Sequence, residues 1–257
     1  MFKTQIQAYL QRHSLSQIQL KGVMFDMDGV LFNSMPFHTT AWHNAMKRHG
    51  LHLSKEEAYL HEGRTGAGTI QIVMRRDQGR DATPEEIEAI YHDKSEEFNR
   101  FPPAPAMPGA VQVVRQVRQT GLTALIVTGS GQKSLLSRIE ENYPALFNPD
   151  FMVTAFDVKH GKPHPEPYLI GLRKSHLLPH EALVVENAPM GVEAGHAAGV
   201  FTIAVNTGPM PDEALIQAGA DVLFHSMQDF ADHWKELYEA ICHTRLKPQE
   251  TTVIPKP

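Results

Sequence analysis

Two aspartates one residue apart, Asp26 and Asp28, follow the apolar run GVMF near the start of the chain, and Gly29 comes directly after them. Side chains alternate along a strand, so both carboxylates are expected to leave its end on one side while Met27 packs the other way. Carboxylates that close repel one another unless a cation or a proton sits between them. Mg²⁺ suits the pair best, being a hard ion held by a few oxygens that keeps waters and pairs with substrate phosphates. A carboxylate beside Mg²⁺ can attack phosphorus and become an aspartyl-phosphate. Its neighbour can then protonate the leaving group and deprotonate water. Gly29 is expected to let the backbone approach a phosphate. An EF-hand loop also opens with D-x-D-G, but it needs polar ligands onward and Glu at its twelfth position. Here Val30, Leu31 and Phe32 follow and the twelfth residue is Phe37. A pair of aspartates in a surface turn does not suit the preceding apolar run.

Two further stretches carry polar residues where a ligand would sit. TGSGQKS, residues 128–134, follows an apolar run and invites a P-loop reading, but that signature needs glycine just before the lysine and Gln132 stands there. What remains is an oxyanion site made by the Thr128 hydroxyl and nearby backbone N–H groups such as that of Gly129, at a helix N-terminus. In HGKPHPEPY, Lys162 lies between glycine and proline; its plain alternative is a solvated loop lysine.

The elements that must position these residues alternate along most of the chain. Apolar strands are read at GVMFDMD, TALIVTG, FMVTAF, ALVVEN, FTIAVN and DVLFHS. Helices are read between them at AVQVVRQVRQTG, QKSLLSRIEE, PEPYLIGLRKS and GVEAGHAAG, with MQDFADHWKELYEAI last. That alternation predicts an α/β fold, a doubly wound parallel sheet covered on both faces. Ligands in such sheets bind outside the carboxyl ends of the strands, and Asp26, Asp28, Thr128, Glu186 and Asn187 all fall there. PFHTTAWHNAMKRHG reads as a helix with proline in its first turn and glycine at its end. Residues 54 to 100 hold three more helical patterns and no strand, and the Pro-rich FPPAPAMPG closes them like a linker. The expected organisation is a helical leader over 1–20, a core over 21–35 and 103–243, a helical cap over 36–102, and a disordered tail over 244–257.

Composition narrows the function classes. The 257 residues are 42% hydrophobic and 21% charged, as in ordinary globular proteins. A net charge of −5 argues against nucleic acid as a partner. A single cysteine, Cys242, excludes an intrachain disulfide and points to a reducing compartment, hence the cytoplasm. No stretch approaches the roughly 20 apolar residues needed to cross a bilayer. The 15 histidines are scattered. A monomer is favoured.

FDMDGVLFNS, IVTGS, GKPHPEPY and VVENAPMGVEAGHAAG together resemble the four motifs of the haloacid dehalogenase superfamily, most closely its β-phosphoglucomutase-like branch with a small helical cap. The resemblance covers residues 21 to 230. It implies Asp26 as nucleophile and Asp28 as acid/base, with Mg²⁺ held by Asp26, Asp28, Glu186 and Asn187. Thr128 and Lys162 are implied as phosphate binders, Lys162 also offsetting the charge of Asp26. One departure stands out: the branch usually ends the fourth motif's strand in Glu-Asp, and this chain has Glu186-Asn187. The site thereby loses a negative charge, which weakens metal binding and favours a more anionic substrate.

The segment HEGRTGAG, residues 61–68, falls where caps of this branch contact substrate. Arg64 is a fork for a distal phosphate. Glu62 is expected to reach the Mg²⁺ shell on closure and replace the carboxylate missing at Asn187; the alternative is that it sits in solvent or pairs with Arg64. HEGRTG, VTAFDVKHGKPHPEPYL and VENAPMGVEAG are similar to a subgroup of the superfamily that hydrolyses inorganic pyrophosphate. The expected activity is Mg²⁺-dependent phosphohydrolysis, with pyrophosphate the leading substrate and small phosphomonoesters next. A β-phosphoglucomutase-like isomerase is the rival, with His38 and Arg100 as substrate-binding groups for a sugar. A phosphate-binding protein without catalysis is the third reading.

Overall fold

The computed structural model describes residues 2–131 and 138–246. Five strands form one sheet, β1 (Gly22–Phe25), β2 (Thr123–Ile126), β3 (Ala182–Glu186), β4 (Phe201–Val205) and β5 (Val222–Phe224). Their order is β2-β1-β3-β4-β5 and every pairing is parallel. Phe25 lies opposite Ile126 on one side and Val185 on the other. The residues that follow, Asp26, Val127 and Glu186, therefore leave the sheet side by side at its carboxyl edge. The chemistry sits there because β1 is flanked on both sides and the strand order reverses at it.

Period-two alternation sorts the strand side chains between two cores. Val23 and Phe25 face one cluster with α1 (Lys3–Arg12), α6 (Ala110–Gln119) and the long C-terminal helix Met227–His243. Met24 faces the other, with Val184, Tyr168 and Ala194. The segment read as the leader is part of this structure: Ile6, Tyr9 and Leu10 are fully buried, and the Tyr9 hydroxyl donates to the Gly199 carbonyl at 2.8 Å.

Between β1 and β2 stand four further helices, α2 (Met35–Arg48), α3 (Lys55–Leu60), α4 (Gly66–Gln78) and α5 (Pro84–Asn99). Local sequence explains their starts: the Ser54 and Thr65 side chains cap α3 and α4, and Thr83 with Glu86 forms a capping box before Pro84. They enclose a core of their own, with Met46, Leu53, Ile70, Val73, Met74 and Ile90. The chain enters and leaves this helical cap through adjacent strands of backbone, where Asn33 N–H donates to the Pro105 carbonyl at 3.0 Å and Met107 N–H to the Leu31 carbonyl at 2.8 Å.

Several sequence expectations are corrected. FMVTAF is no strand: residues 149–151 form a 3₁₀ turn and only Val153 bridges to Val127. Thr154, one residue on, already turns the chain by taking its partner from Asp157. β1 ends at Phe25, three residues before Asp28, because the chain closes a tight turn in which Leu31 and Phe32 N–H both reach the Met27 carbonyl. A short helix over Asp212–Gln217 went unread because its six residues offer barely more than one turn of periodicity. The helix expected at QKSLLSRIEE begins in residues 132–137, outside the described residues, and its end is helical over Ile139–Asn142. Residues 247–257 of the expected tail also lie outside them. No helix among the described residues is long and apolar enough to cross a membrane.

Burial of α1 makes a direct prediction. Leu10→Ala removes a fully enclosed side chain and is expected to destabilise the protein by about 2–5 kcal/mol, read from urea unfolding. A loss below about 0.5 kcal/mol would mean that α1 is not part of the cooperative core.

Candidate active site

The edge of the sheet sets two carboxylates around one buried ammonium. Lys162, 1% exposed, donates to Asp26 Oδ1 and Glu186 Oε1 at 2.5 Å each and to the Val127 carbonyl at 3.0 Å. A solvated loop lysine is thus ruled out. Burial acts to lower the Lys162 pKa, but the two carboxylates outweigh it and hold the ammonium charged. The second partner, Glu186, also accepts from the Tyr168 hydroxyl at 2.6 Å and, through Oε2, from Asn187 N–H at 3.1 Å. The expectation gave Glu186 to the metal; here its Oε1 accepts from Lys162 and Tyr168 and its Oε2 from one backbone N–H.

Asp28 faces away from Lys162. Its Oδ1 accepts from the Ser34 hydroxyl at 2.6 Å and lies 3.0 Å from His38 Nε2. On the far side of the ring, His38 Nδ1 lies 2.8 Å from Lys94 Nζ, which is buried against the faces of Trp42, Tyr91 and Phe98. Burial pushes Asp28 up, but His38 and Ser34 outweigh it, and its carboxyl ends below the usual range. Burial lowers Lys94 to about 8. His38, expected as a sugar contact, thus serves to orient Asp28. Neither Ser34 nor Lys94 was singled out from the sequence. His38 and Lys94 are 56 residues apart, and only the packing of α2 on α5 brings them together. Arg100, the other expected sugar contact, is exposed and lies beside Glu97, away from the pocket.

The cap contributes Glu62, in the turn after α3. It is 8% exposed and its Oε1 accepts from Asn187 Nδ2 at 2.8 Å. Both simple alternatives for Glu62, solvent and an Arg64 pair, therefore fail. Burial first, then the nearby Asp26, Glu186 and Asp28, raise its pKa well above the ordinary value against the Asn187 bond. Asp26 is likewise pushed up to about 8 by burial and by Glu186 and Asp28, with Lys162 opposing. Lys162 alone does not balance these acids, and Lys94 acts on Asp28 from behind His38.

Gly29 has a different reason from the one expected. Its φ is +82°, and a Cβ there would stand 2.0 Å from Asn187 Nδ2 and 2.8 Å from Glu62 Oε1. The glycine makes room for the cap carboxylate to meet the core amide. Thr128 is buried and its Oγ1 accepts from Ser130 N–H at 3.0 Å, forming the turn that lines the pocket with Gly129. Gly129 itself is crowded: a Cβ would meet the Gly63 carbonyl at 2.7 Å. Arg64 rests its Nη2 on the Met190 sulfur at 3.0 Å. His38, Glu62, Arg64, Lys94, Thr128 and Gly129 line one pocket with Asp26 and Asp28; Gly29, Ser34, Lys162, Glu186 and Asn187 do not line it.

The fit of the site to Mg²⁺ rests on its oxygens. Among the described residues no three His, Cys, Asp or Glu side chains form a metal cluster. The donors are instead mixed, and Asn187 Oδ1 is buried with no partner. An unpaired amide oxygen among surplus carboxylates fits a hard, oxygen-seeking cation.

The model of the haloacid dehalogenase-like hydrolase family matches residues 23–205, and the chain belongs to that family. It is similar to hexitol phosphatase A of Escherichia coli (strain K12), 33% identical over 211 residues, 82% of this chain and 93% of the relative. The phosphorylated carbohydrates phosphatase of Thermotoga maritima is 27% identical over 209 residues, 79% and 94% of the two chains. A solved structure from Bacteroides vulgatus, described as a candidate beta-phosphoglucomutase, is 58% identical with a TM-score of 0.91, covering 93% of this chain and 98% of that one. The protein is a phosphatase of the haloacid dehalogenase type.

Two glycines separate backbone strain from collision. Gly121 has φ +80° and nothing within 4 Å of a Cβ, so Gly121→Ala is expected to cost only the left-handed term, about 1–2 kcal/mol. Gly29→Ala is expected to cost more than Gly121→Ala by thermal unfolding and to lower activity at least about tenfold, since it also pushes Asn187 from Glu62. Equal costs with unchanged activity would remove the Asn187–Glu62 contact from the account.

Proposed function

We propose that this phosphatase hydrolyses inorganic pyrophosphate, with Mg²⁺ as cofactor and Asp26 as nucleophile. The observation that carries the reading is the Glu62–Asn187 contact, which puts a cap carboxylate in the floor of the site. The pocket left over Asp26 is about 60 Å³, against the roughly 300–1,000 Å³ of pockets that take small organic ligands. A carboxylate in that position repels phosphate unless a cation stands between them, and it fills space that an organic leaving group would need. A small, highly anionic substrate suits both conditions.

The residues then divide the work. Asp26 Oδ1 is held by Lys162, leaving its other oxygen to attack phosphorus and form the aspartyl-phosphate. The anionic substrate bound beside it raises the Asp28 carboxyl, so that Asp28, fixed by Ser34 and His38, takes up a proton from solvent and gives it to the departing phosphate, then takes one from the water that cleaves the aspartyl-phosphate and frees Asp26. The Thr128 hydroxyl and the Gly129 N–H receive the oxygens of the transferred group, and Lys162, held behind Asp26, offsets their charge. Mg²⁺ would be held by the Asp26 carboxylate, the Asp28 carbonyl, Asn187 Oδ1 and Glu62, and supplies charge neutralisation at phosphorus. The helical cap acts as the lid that brings Glu62 in.

A second reading, hydrolysis of a sugar or polyol phosphate, is favoured by the names of the relatives at 33% and 27% identity. The mutase reading follows the description of the 58% identical structure. One assay separates them: phosphate release in Mg²⁺ from pyrophosphate, hexitol phosphates and glucose phosphates, with Asp26→Asn as control. The expected result is a kcat/KM at least about a hundredfold higher for pyrophosphate, lost in the control. Preference for a hexitol phosphate would establish the second reading. No net phosphate release, with isomerisation in the presence of a bisphosphate, would establish the mutase.

A further inference from the structure

Lys162 has three N–H bonds to give, and the protein takes all of them. Asp26 Oδ1 and Glu186 Oε1 lie 2.5 Å from its Nζ, and the Val127 carbonyl oxygen lies 3.0 Å away. The two carboxylates compete for one ammonium, and only Asp26 is placed to react. A third group bears on the outcome. The Tyr168 hydroxyl donates at 2.6 Å to Glu186 Oε1, the same oxygen that holds Lys162.

Tyr168 is fully buried on the helix Glu166–Lys174, and its ring belongs to the core with Met24 and Val184. Gly171 lies almost one turn further along that helix, where a Cβ would stand 3.0 Å from Met24 Sδ and 3.1 Å from Val127 Cγ2. The glycine lets the helix lie close against the sheet, and the phenol thereby reaches the carboxyl edge. Burial first, then the charges of Glu186 and Asp26, raise the phenol well above its ordinary value, so the oxygen keeps its proton. The Lys162 ammonium stands 5.1 Å from the centre of the Tyr168 ring, so one side chain meets both members of the ion pair.

We propose that Tyr168 is a positioning residue for phosphoryl transfer: by donating to Glu186 Oε1 it weakens that oxygen's hold on Lys162 and keeps the ammonium on Asp26. The need arises during the reaction. The free Asp26 oxygen bonds phosphorus while the bond from phosphorus to the leaving oxygen breaks, and Asp28 gives that oxygen its proton. The carboxylate charge of Asp26 passes to the phosphoryl group, and Oδ1 becomes the carbonyl oxygen of an acyl phosphate, a weaker acceptor. Lys162 is then drawn toward Glu186, the full carboxylate still bonded to it. A proton already donated by Tyr168 reduces that pull. The inference rests on Asp26 as the nucleophile and not on which phosphate compound the site takes.

Tyr168→Phe keeps the ring and removes only the hydroxyl. With Mg²⁺ saturating, its kcat on pyrophosphate, and on p-nitrophenyl phosphate beside it, is expected to fall about fivefold to fiftyfold while KM stays within about twofold. Acid quench with radiolabelled substrate is expected to show the same fall in the rate at which Asp26 becomes phosphorylated. Because the effect runs through the charge of Glu186, Glu186→Gln supplies the reference background. There, adding Tyr168→Phe is expected to change kcat less than about twofold. A packing role would give the same fractional loss in both backgrounds and overturn the proposal, as would an unchanged or raised kcat in Tyr168→Phe alone. Far-UV circular dichroism confirms that each variant is folded. Failure of the parent reading is seen separately: wild-type protein that turns over with no label on Asp26 overturns the nucleophile and the proposal together, whereas a labelled Asp26 with equal losses in both backgrounds overturns the proposal alone.

Discussion

Lys162 is the fixed point of the molecule's chemistry. A fully enclosed ammonium has no water to share its charge, so its place is set by the carboxylates that neutralise it. Those two, Asp26 and Glu186, come from adjacent strands at the same level of the sheet. The parallel register of β1 and β3 therefore decides the width of the site, and the loop that carries Lys162 must fold inward to reach it. Removing Lys162 would leave two buried carboxylates without their partner, a costly state. That constraint explains why Glu186 is tied to protein donors rather than left for a metal.

Once Glu186 is committed, the core has few free acceptors to offer a cation: the Asp26 carboxylate, nearby carbonyls and the unpaired amide oxygen of Asn187. An amide binds Mg²⁺ less strongly than a carboxylate because it brings no charge. The cap makes up the difference by carrying Glu62 into the same corner, through a backbone turn at Gly29 that only glycine accommodates. Metal site and lid are then one construction. On the proposed reading, closure of the cap completes the donor set and the completed set excludes a bulky leaving group.

Much of this was legible in the sequence because the fold announces itself by period. The apolar runs before Asp26, Thr128 and Glu186 gave three neighbouring strands whose ends had to converge, and that convergence is what the structure shows. What escaped was contact across long separations. Nothing local marks Lys94 as the partner of His38, since a lysine in the polar pattern of α5 reads as solvated. For Glu186, read from the sequence as a metal ligand, nothing in the sequence reveals that Tyr168 and Lys162 both donate to its Oε1. FMVTAF misled in the other direction: Val153 and, partly, Phe151 fill a core beside Val127 without extending the sheet, and burial alone does not distinguish a strand from a packed loop.

The central claim is that a residue of the cap completes a cation site on the core. Calorimetric titration of Mg²⁺ into the wild-type protein and into Glu62→Gln measures it directly, because glutamine keeps the shape and can still meet Asn187 but brings no charge. The account predicts Mg²⁺ binding at least about tenfold weaker in the variant. An unchanged affinity would contradict it, leaving Glu62 as a packing contact and the cation site as the work of the core alone.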